Sequence, residues 1–332
     1  MRSALPVLAV LSIPFVAEAQ SRPATATVQI TEWTVPWEKS GPRDPYLDKS
    51  GRVWFVGQRG NYIAYLEPGS GEFKRFEIAE GTHPHNLIVG TDGAIWYAGN
   101  RNATIGRLDP ATGKSTIIRM PNGTPRDPHT LVMDKSGNIW FTAQQANFVG
   151  HVVTKTGEVH AFPSSTTNSR PYGIVLDAQN RPWFTQFNSN KIAMIDPATM
   201  KITEHPMPNA DSRARRIEVT PDGLIWYADY IRGTLVRYDP TTKAAKEWAM
   251  PSAKMSLPYA MALDDRGRVW IAETGVQPNR LVGFDPKTES FFSITPVAKS
   301  GAGSIRHMVY HQGTKSLWFG TDANTIGRAV IP

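Results

Sequence analysis

The stretch Ser136-Gly137-Asn138-Ile139-Trp140-Phe141 is one copy of a unit that recurs along the whole chain. Most copies have a turn, then an apolar residue, a tryptophan and an aromatic residue. The tryptophans follow one another at intervals of 42, 44, 43, 43, 44 and 48 residues: Trp54, Trp96, Trp140, Trp183, Trp226, Trp270 and Trp318. A sequence period of this length indicates a repeat architecture.

Other parts of the unit recur at similar distances from the tryptophan. An Asn-x-Ile/Val-Gly/Ala segment follows about seven residues later, as at 147–150, and Asp-Pro turns come next, as at 196–197. The runs between turns are short, alternating and rich in β-branched and aromatic residues, which is typical of antiparallel strands. Four such strands per repeat predict an all-β fold, a seven-bladed β-propeller with one four-stranded sheet in each blade.

The two ends of the chain predict how the ring closes. After Trp318 there is room for one more strand, 325–330, so the last blade lacks its outer strand. The run 30–36 matches the closing strand of the other units, and we expect it to complete the seventh blade. Closure of this kind protects the open sheet edges of the ring.

The composition excludes several classes of function. The chain has 332 residues, a formal net charge of +7 and no cysteine. Without cysteine there are no disulfides, thiolate metal sites or Cys nucleophile. The basic residues are spread over all units without a basic tail or a recognised binding motif, so we expect no nucleic-acid partner. P-loop, Rossmann and Gly-x-Ser-x-Gly signatures are also missing from the sequence.

The first 19 residues read as a secretory signal peptide. Arg2 is followed by a largely apolar stretch over 4–16 and by the small-x-small pattern Ala17-Glu18-Ala19. The apolar stretch is too short to span a bilayer. We therefore expect cleavage near Ala19, which leaves one propeller domain over 20–332. The mature protein is predicted to be a periplasmic or secreted monomer that does not associate with a membrane.

One repeat position carries only tyrosine, histidine and arginine. It lies about eleven residues before most of the repeat tryptophans. In the first unit, which reads as shorter, we place it at Tyr46, eight residues before Trp54, and in the seventh a strict count of eleven lands on His307. Allowing for a longer turn in that unit, the position is occupied by Tyr46, His85, His129, Tyr172, Arg215, Tyr259 and Arg306. These side chains stack on rings, pair with anions and transfer protons. They predict a pocket for a small anionic or aromatic ligand, with a hydrogen-bonded plug of the channel as the alternative.

The repeat resembles a known family. The pattern Pro-[His/Tyr]-x-Ile…Gly-x-[Ile/Val]-Trp-Phe-Thr…Asn-x-Ile-Gly-Arg is similar to that of the virginiamycin B lyases over roughly residues 28–330. The resemblance implies a seven-bladed propeller that opens a cyclic depsipeptide by β-elimination with Mg²⁺. Its implied catalytic residues lie in the last two blades. There this chain has Tyr259 for a His, Ser304-Ile305-Arg306 for Glu-Pro-His, and Asp322 for a Glu.

A similar pattern occurs in the second and third units as His83-Pro84-His85 and Asp127-Pro128-His129. We therefore expect His129 and His85 to do the acid–base work, because a histidine can take a proton from carbon near neutral pH. The residues predicted to bind Mg²⁺, or alternatively Ca²⁺, are Asp127, Gln144, Glu273 and Asp322. Ordinary loop hydrogen bonds and ion pairs with nearby arginines are the competing explanations for these side chains.

Three functions are compatible with the sequence. The first is a metal-assisted lyase that acts on a small molecule containing an ester or lactone. The second is a lactonase-type hydrolase in which a metal-bound water attacks a carbonyl. The third is a propeller that binds a ligand or partner without catalysis.

Overall fold

A computed structural model describes residues 26–301 and 303–332 of the chain. The predicted signal peptide, 1–19, lies outside the described residues. The strands form seven four-stranded antiparallel sheets, which confirms the predicted all-β, seven-bladed propeller. Within the described ranges, no helix has the length and apolar character needed to cross a membrane.

Each blade contains four short strands of five to seven residues. In chain order the strands are β1 (Gln29–Thr34), β2 (Pro42–Leu47), β3 (Val53–Gly57), β4 (Tyr62–Glu67), β5 (Glu72–Glu77), β6 (Pro84–Val89), β7 (Ile95–Gly99), β8 (Thr104–Leu108), β9 (Ser115–Arg119), β10 (Pro128–Met133), β11 (Ile139–Ala143), β12 (Phe148–Val153), β13 (Glu158–Pro163), β14 (Pro171–Leu176), β15 (Pro182–Gln186), β16 (Lys191–Asp196), β17 (Lys201–Pro206), β18 (Ala214–Val219), β19 (Ile225–Asp229), β20 (Thr234–Tyr238), β21 (Ala245–Ala249), β22 (Pro258–Leu263), β23 (Val269–Glu273), β24 (Arg280–Asp285), β25 (Ser290–Pro296), β26 (Ile305–His311), β27 (Ser316–Thr321) and β28 (Thr325–Val330). Four one-turn 3₁₀ helices lie in the connections, at Pro121–Gly123, Ala253–Met255, Ala298–Ser300 and Gln312–Thr314.

The turn before the repeat tryptophan is shaped by an aspartate and a glycine. In the first blade the Asp48 carboxylate accepts the backbone N–H of Ser50 at 2.9 Å and of Arg52 at 3.1 Å, and Gly51 adopts a φ of +89°. A positive φ is accessible to glycine at no steric cost. The Nε1 of Trp54 donates to the same carboxylate at 2.7 Å. Equivalent bonds join Asp177 to Trp183 and Asp264 to Trp270.

The repeat tryptophans form the core between blades. All seven are at most 5% exposed. Trp226 of the fifth blade, for example, packs in one cluster with Val269 and Phe284 of the sixth. Each blade therefore buries one face against the next, which a single four-stranded sheet cannot do alone.

The N-terminal strand closes the ring as predicted. β1 pairs antiparallel with β28, from Gln29 opposite Val330 to Thr34 opposite Thr325. Trp33 also stacks on the repeat tryptophan Trp318, with ring centroids 5.7 Å apart. The seventh blade is thus built from both ends of the propeller domain.

The innermost strand of each sheet lines the central channel, and these seven strands contact one another in order around the ring. They are β2, β6, β10, β14, β18, β22 and β26. In every one of them the pairing register shifts near the start of the strand. Such a bulge leaves residues out of the ladder and re-aims their side chains. The bulges place polar side chains at one end of the channel.

Candidate functional site

One mouth of the channel is surrounded by the second residue of each inner strand. We call this set the mouth ring; it consists of Arg43, His85, His129, Tyr172, Arg215, Tyr259 and Arg306. Six of the seven residues are those predicted from the repeat position. Arg215 and Arg306 are partly exposed, whereas the other five are at most 8% exposed.

The predicted acid–base histidines lie against each other. The ring centroids of His85 and His129 are 3.6 Å apart. Burial, together with the charges of nearby arginines, lowers the pKa of both histidines well below 6.5. His129 uses its Nδ1 to bond the Thr130 hydroxyl at 2.9 Å. In the tautomer in which Nδ1–H donates to this hydroxyl, Nε2 of the neutral imidazole carries the lone pair that can accept a proton.

Two tyrosines extend this line of rings across the mouth. Tyr172 lies beside His129, with centroids 4.4 Å apart, and its hydroxyl contacts that of Tyr259. The inner strands that carry Tyr172 and Tyr259 are separated by that of the fifth blade. Their contact therefore bridges part of the channel.

The fifth blade contributes an arginine enclosed by aromatic rings. The guanidinium carbon of Arg215 lies 4.0 Å from the ring centroid of Tyr230, 4.3 Å from those of Phe187 and Tyr259, and 5.6 Å from that of Tyr172. These contacts occupy the faces of the guanidinium by cation–π attraction. Its Nε is buried and has no hydrogen-bond partner within the described residues. The edge of this group is therefore suited to an anionic ligand.

Below the mouth ring, charged residues cross the channel. Arg216 donates to the Arg306 carbonyl at 3.2 Å and lies 3.7 Å from Asp44, which is fully buried. Arg43 approaches the same carboxylate to 3.8 Å. Burial opposes ionisation of Asp44, but His307, Arg43 and Arg216 outweigh it and lower the pKa of this carboxyl.

The site carries a surplus of positive charge. Four guanidinium groups, those of Arg43, Arg215, Arg216 and Arg306, meet only Asp44 and Asp322 in ion pairs. The Nε and Nη2 of Arg43 and the Nη2 of Arg216 are buried with no hydrogen-bond partner in the described part of the chain. Because the neighbouring histidines are neutral, they do not change this balance, and the mouth has a net positive charge.

In the first blade the structure corrects the predicted position. The mouth-ring residue is Arg43, and Tyr46 lies three residues further along β2, opposite Trp54. Tyr46 instead stacks on His307, with centroids 6.0 Å apart. This strand contains two prolines, Pro42 and Pro45. The mouth-ring residue follows Pro42, whereas the predicted residue, Tyr46, follows Pro45.

The four residues predicted to bind a metal are spread over three blades, and their carboxylates have other partners. Glu273 is fully buried and accepts from the Ser252 N–H at 2.8 Å and from Arg280. Asp322 forms a bidentate pair with Arg306, with bonds of 3.0 Å and 2.7 Å.

The other two predicted ligands lie in the third blade. Asp127 accepts the backbone N–H groups of Gln145 and Ala146. Gln144 is half-buried in the same turn. Among residues 26–301 and 303–332 no group of three His, Asp or Glu side chains is arranged to hold an ion. This donor set does not fit the Mg²⁺ that the resemblance implies.

The sequence missed Arg43, Arg216 and Asp44, although each lies within an inner strand. Arg215 was predicted at the repeat position, whereas Arg216 was noted only within the basic run Arg213-Ala214-Arg215-Arg216. The bulge in β18 separates the roles of these two arginines: Arg215 joins the mouth ring, and Arg216 crosses the channel below it. An alignment of the inner strands on their first residue would have identified all three.

Comparisons with known proteins agree with this architecture. The model of the virginiamycin B lyase family matches residues 17–281. The structure of virginiamycin B lyase from Staphylococcus aureus superposes with a TM-score of 0.82 at 21% identity, covering 92% of this chain and 100% of that chain. A streptogramin B lyase structure gives 0.82 at 24% identity, with 93% and 99% covered. Hydrazine synthase from Kuenenia stuttgartiensis gives 0.69 at 12% identity, with 86% and 94% covered. No curated protein sequence matched the chain.

Proposed function

This chain belongs to the virginiamycin B lyase family, and from that premise we propose that it is a lyase for a small anionic molecule containing an ester or lactone. The observation that carries the proposal is the pair of neutral histidines, His85 and His129, beside an arginine-rich mouth. The predicted signal peptide supports a role outside the cytoplasm, in the periplasm or the medium.

The proposed reaction is a β-elimination. His129 takes the proton from the carbon next to a carbonyl through Nε2, and that electron pair forms the new double bond. The bond between the neighbouring carbon and the ester oxygen breaks, and the leaving carboxylate carries away the electron pair. A neutral imidazole whose other nitrogen is fixed by Thr130 is suited to accept this proton.

Arginines stabilise the negative charge in this proposal. Arg215 and Arg306 are the partly exposed members of the mouth ring and are positioned to meet an approaching carboxylate or enolate. Charge-assisted hydrogen bonds in a site shielded from water stabilise developing charge in the transition state. The carboxylates of the site are held by Arg306, Arg280 and backbone N–H groups, so no step is assigned to a metal ion.

The substrate class differs from what the names of the relatives suggest. One related structure is a catalytically inactive virginiamycin B lyase with quinupristin. Here Tyr259 and Arg306 occupy the positions where the resemblance implies catalytic histidines. We therefore expect weak or no turnover of quinupristin and a preference for ligands that carry a carboxylate.

The test is a panel of carboxylate-bearing lactones and esters, with quinupristin as comparator, analysed by mass spectrometry. Elimination within a ring gives a product of unchanged mass with a new double bond, whereas hydrolysis of a lactone adds one water. Arg215→Gln should weaken the binding of a carboxylate ligand about 10–100-fold. Arg107→Gln, at a partly exposed ion pair with Asp92, is the matched control.

A second candidate is an anion-binding propeller without catalysis. The replacement of the implied family histidines by Tyr259 and Arg306 favours it. Arg215-dependent binding of carboxylates without any product from the panel would support this second function and contradict the first.

A further inference from the structure

The contact between Tyr172 and Tyr259 is not used by the proposed elimination. Their hydroxyl groups are hydrogen-bonded to each other across the channel mouth, and the ring centroids are 6.1 Å apart. Tyr172 is 5% exposed and Tyr259 1% exposed. Of two hydroxyls in such a contact only one can donate, so the other oxygen is an acceptor.

Guanidinium groups from three other inner strands surround the pair. From β18, Arg215 lies 4.3 Å from the Tyr259 ring and Arg216 lies 5.5 Å from the Tyr172 ring. From β26, Arg306 lies 5.8 Å from the Tyr259 ring. Arg43 contributes from β2.

The remaining neighbours of the pair add little negative charge. The neutral His129 ring contacts Tyr172, and the Tyr230 ring contacts Tyr259. The carboxylate on this side, Asp322, is paired with Arg306. An excess of positive charge around a phenol favours its ionised form.

We propose that Tyr172 and Tyr259 form a hydrogen-bonded phenol–phenolate pair, in which Tyr259 carries the charge and acts as a second proton acceptor of the site. His129 lies between this pair and His85, in contact with both Tyr172 and His85. This inference rests on the proposed function for its catalytic part only. The elimination releases one proton, which His129 takes first. The Tyr259 phenolate then takes up this proton from the imidazolium by way of Tyr172, which contacts His129. Tyr259 becomes a neutral phenol, His129 returns to its neutral form, and Tyr172, which passes on one proton and receives another, remains the donor.

The electrostatics agree with this division of roles. Burial opposes ionisation of Tyr259, but Arg215, Arg43, Arg216 and Arg306 outweigh it and lower its pKa to about 8. Burial and the neighbouring Tyr259 raise the pKa of Tyr172. Tyr259 is thus the partner that ionises first.

The first experiment is a near-ultraviolet absorbance titration of tyrosinate in the whole protein without substrate. One of the ten tyrosines should ionise near pH 8, whereas an ordinary tyrosine ionises near pH ~10. Tyr259→Phe should remove this step, and Tyr172→Phe and Arg215→Gln should each move it to higher pH. Tyr238→Phe is the matched control, because Tyr238 is buried in the fifth blade and bonds to His205.

The titration separates this inference from the proposed reaction, since it needs no turnover. Absence of a step below the ordinary tyrosine range, or its persistence in Tyr259→Phe, overturns the pair. The catalytic part is tested by the pH profile of kcat on a substrate from the panel. Tyr259→Phe should abolish a rise near pH 8 that Tyr238→Phe retains; an unchanged profile in Tyr259→Phe overturns the role as proton acceptor.

Discussion

The imidazole rings of His85 and His129 lie with their centroids 3.6 Å apart, although the residues belong to neighbouring blades. At this separation two protonated rings would repel each other strongly. Both rings are also next to arginines in a buried setting. The fold therefore holds two neutral imidazoles in contact at the channel mouth, and several predictions rest on this relationship.

Replacing His129 should remove most of the turnover. We expect His129→Gln to lower kcat about 10²–10⁴-fold, the usual contribution of a general base. Substrate binding should change much less, because the arginines of the mouth remain. Steady-state kinetics on a substrate from the panel measures both effects. His160→Gln, at a partly exposed histidine of the same blade, is the control, and equal kcat in the two variants would contradict the assignment.

The buried histidines should make the protein sensitive to acid. The folded state holds the pKa of His85 and His129 well below 6.5 because burial disfavours the charged form. In the unfolded chain these residues take up protons as the pH falls through ~6.5, so acid shifts the equilibrium toward unfolding. Stability is therefore present above pH ~6.5 and is lost progressively below it.

The measurement is Tm from about pH 8 to about pH 5, a range that spans the ordinary histidine pKa. The double variant His85→Gln/His129→Gln should lose less Tm over this range than the unaltered protein. His160→Gln should lose as much as the unaltered protein. Parallel slopes for the double variant and the control would refute the explanation.

Glu218 should destabilise the fold at neutral and alkaline pH. This half-buried residue lies on the inner strand β18, where burial raises its pKa to about 8 and Arg216 only partly opposes the rise. Between the ordinary pKa and this raised value the unfolded chain releases a proton that the folded chain keeps. The contribution of Glu218 to stability is therefore present at low pH and is lost as the pH rises toward the raised pKa.

Glu218→Gln should consequently raise Tm more at about pH 8 than at about pH 4. At the lower pH Glu218 is protonated in both the folded and the unfolded chain, so its ionisation does not affect stability there. Glu72→Gln, at an exposed residue of β5, provides the control and should show no such trend. A gain of equal size at both pH values would show that packing, not ionisation, determines the effect.

The aspartate at the repeat turn should stabilise its blade measurably. Asp264 accepts from Trp270 Nε1 at 2.9 Å, from the Arg268 side chain and from two backbone N–H groups. Asp264→Ala leaves the buried indole N–H unpaired, which costs about 1–3 kcal/mol. Denaturant midpoints measure the loss.

A control is available in the fifth blade. The Nε1 of Trp226 has no hydrogen-bond partner among the described residues, and the turn aspartate Asp222 bonds only Thr220 and the Leu224 N–H. Asp222→Ala should therefore change the midpoint much less than Asp264→Ala. Similar losses in both variants would mean that the Asp–Trp bond contributes little.

The repeat made the architecture predictable from the sequence. Each copy carries its own turn, strand pattern and tryptophan, so blade number and strand order follow from local signals read seven times. The closing strand was also predictable, because the run around Trp33 matches the outer strand of the other units. Local patterns suffice here because each blade contacts mainly its neighbours.

The site depended on geometry that no local pattern contains. The sequence predicted Tyr46 in place of Arg43, because β2 contains two prolines and the prediction followed Pro45 instead of Pro42. Ion pairs with nearby arginines were the alternative to a metal site, and the structure shows them: Asp322 bonds Arg306, and Glu273 bonds Arg280.

The sequence by itself thus determined a seven-bladed ring and a set of Tyr, His and Arg residues at one repeat position. Only the tertiary structure decided which of these residues meet. Tyr172 and Tyr259 lie 87 residues apart and touch across the channel, while His85 and His129 stack between blades. Ring closure sets these distances, and burial among arginines then sets the protonation of each group.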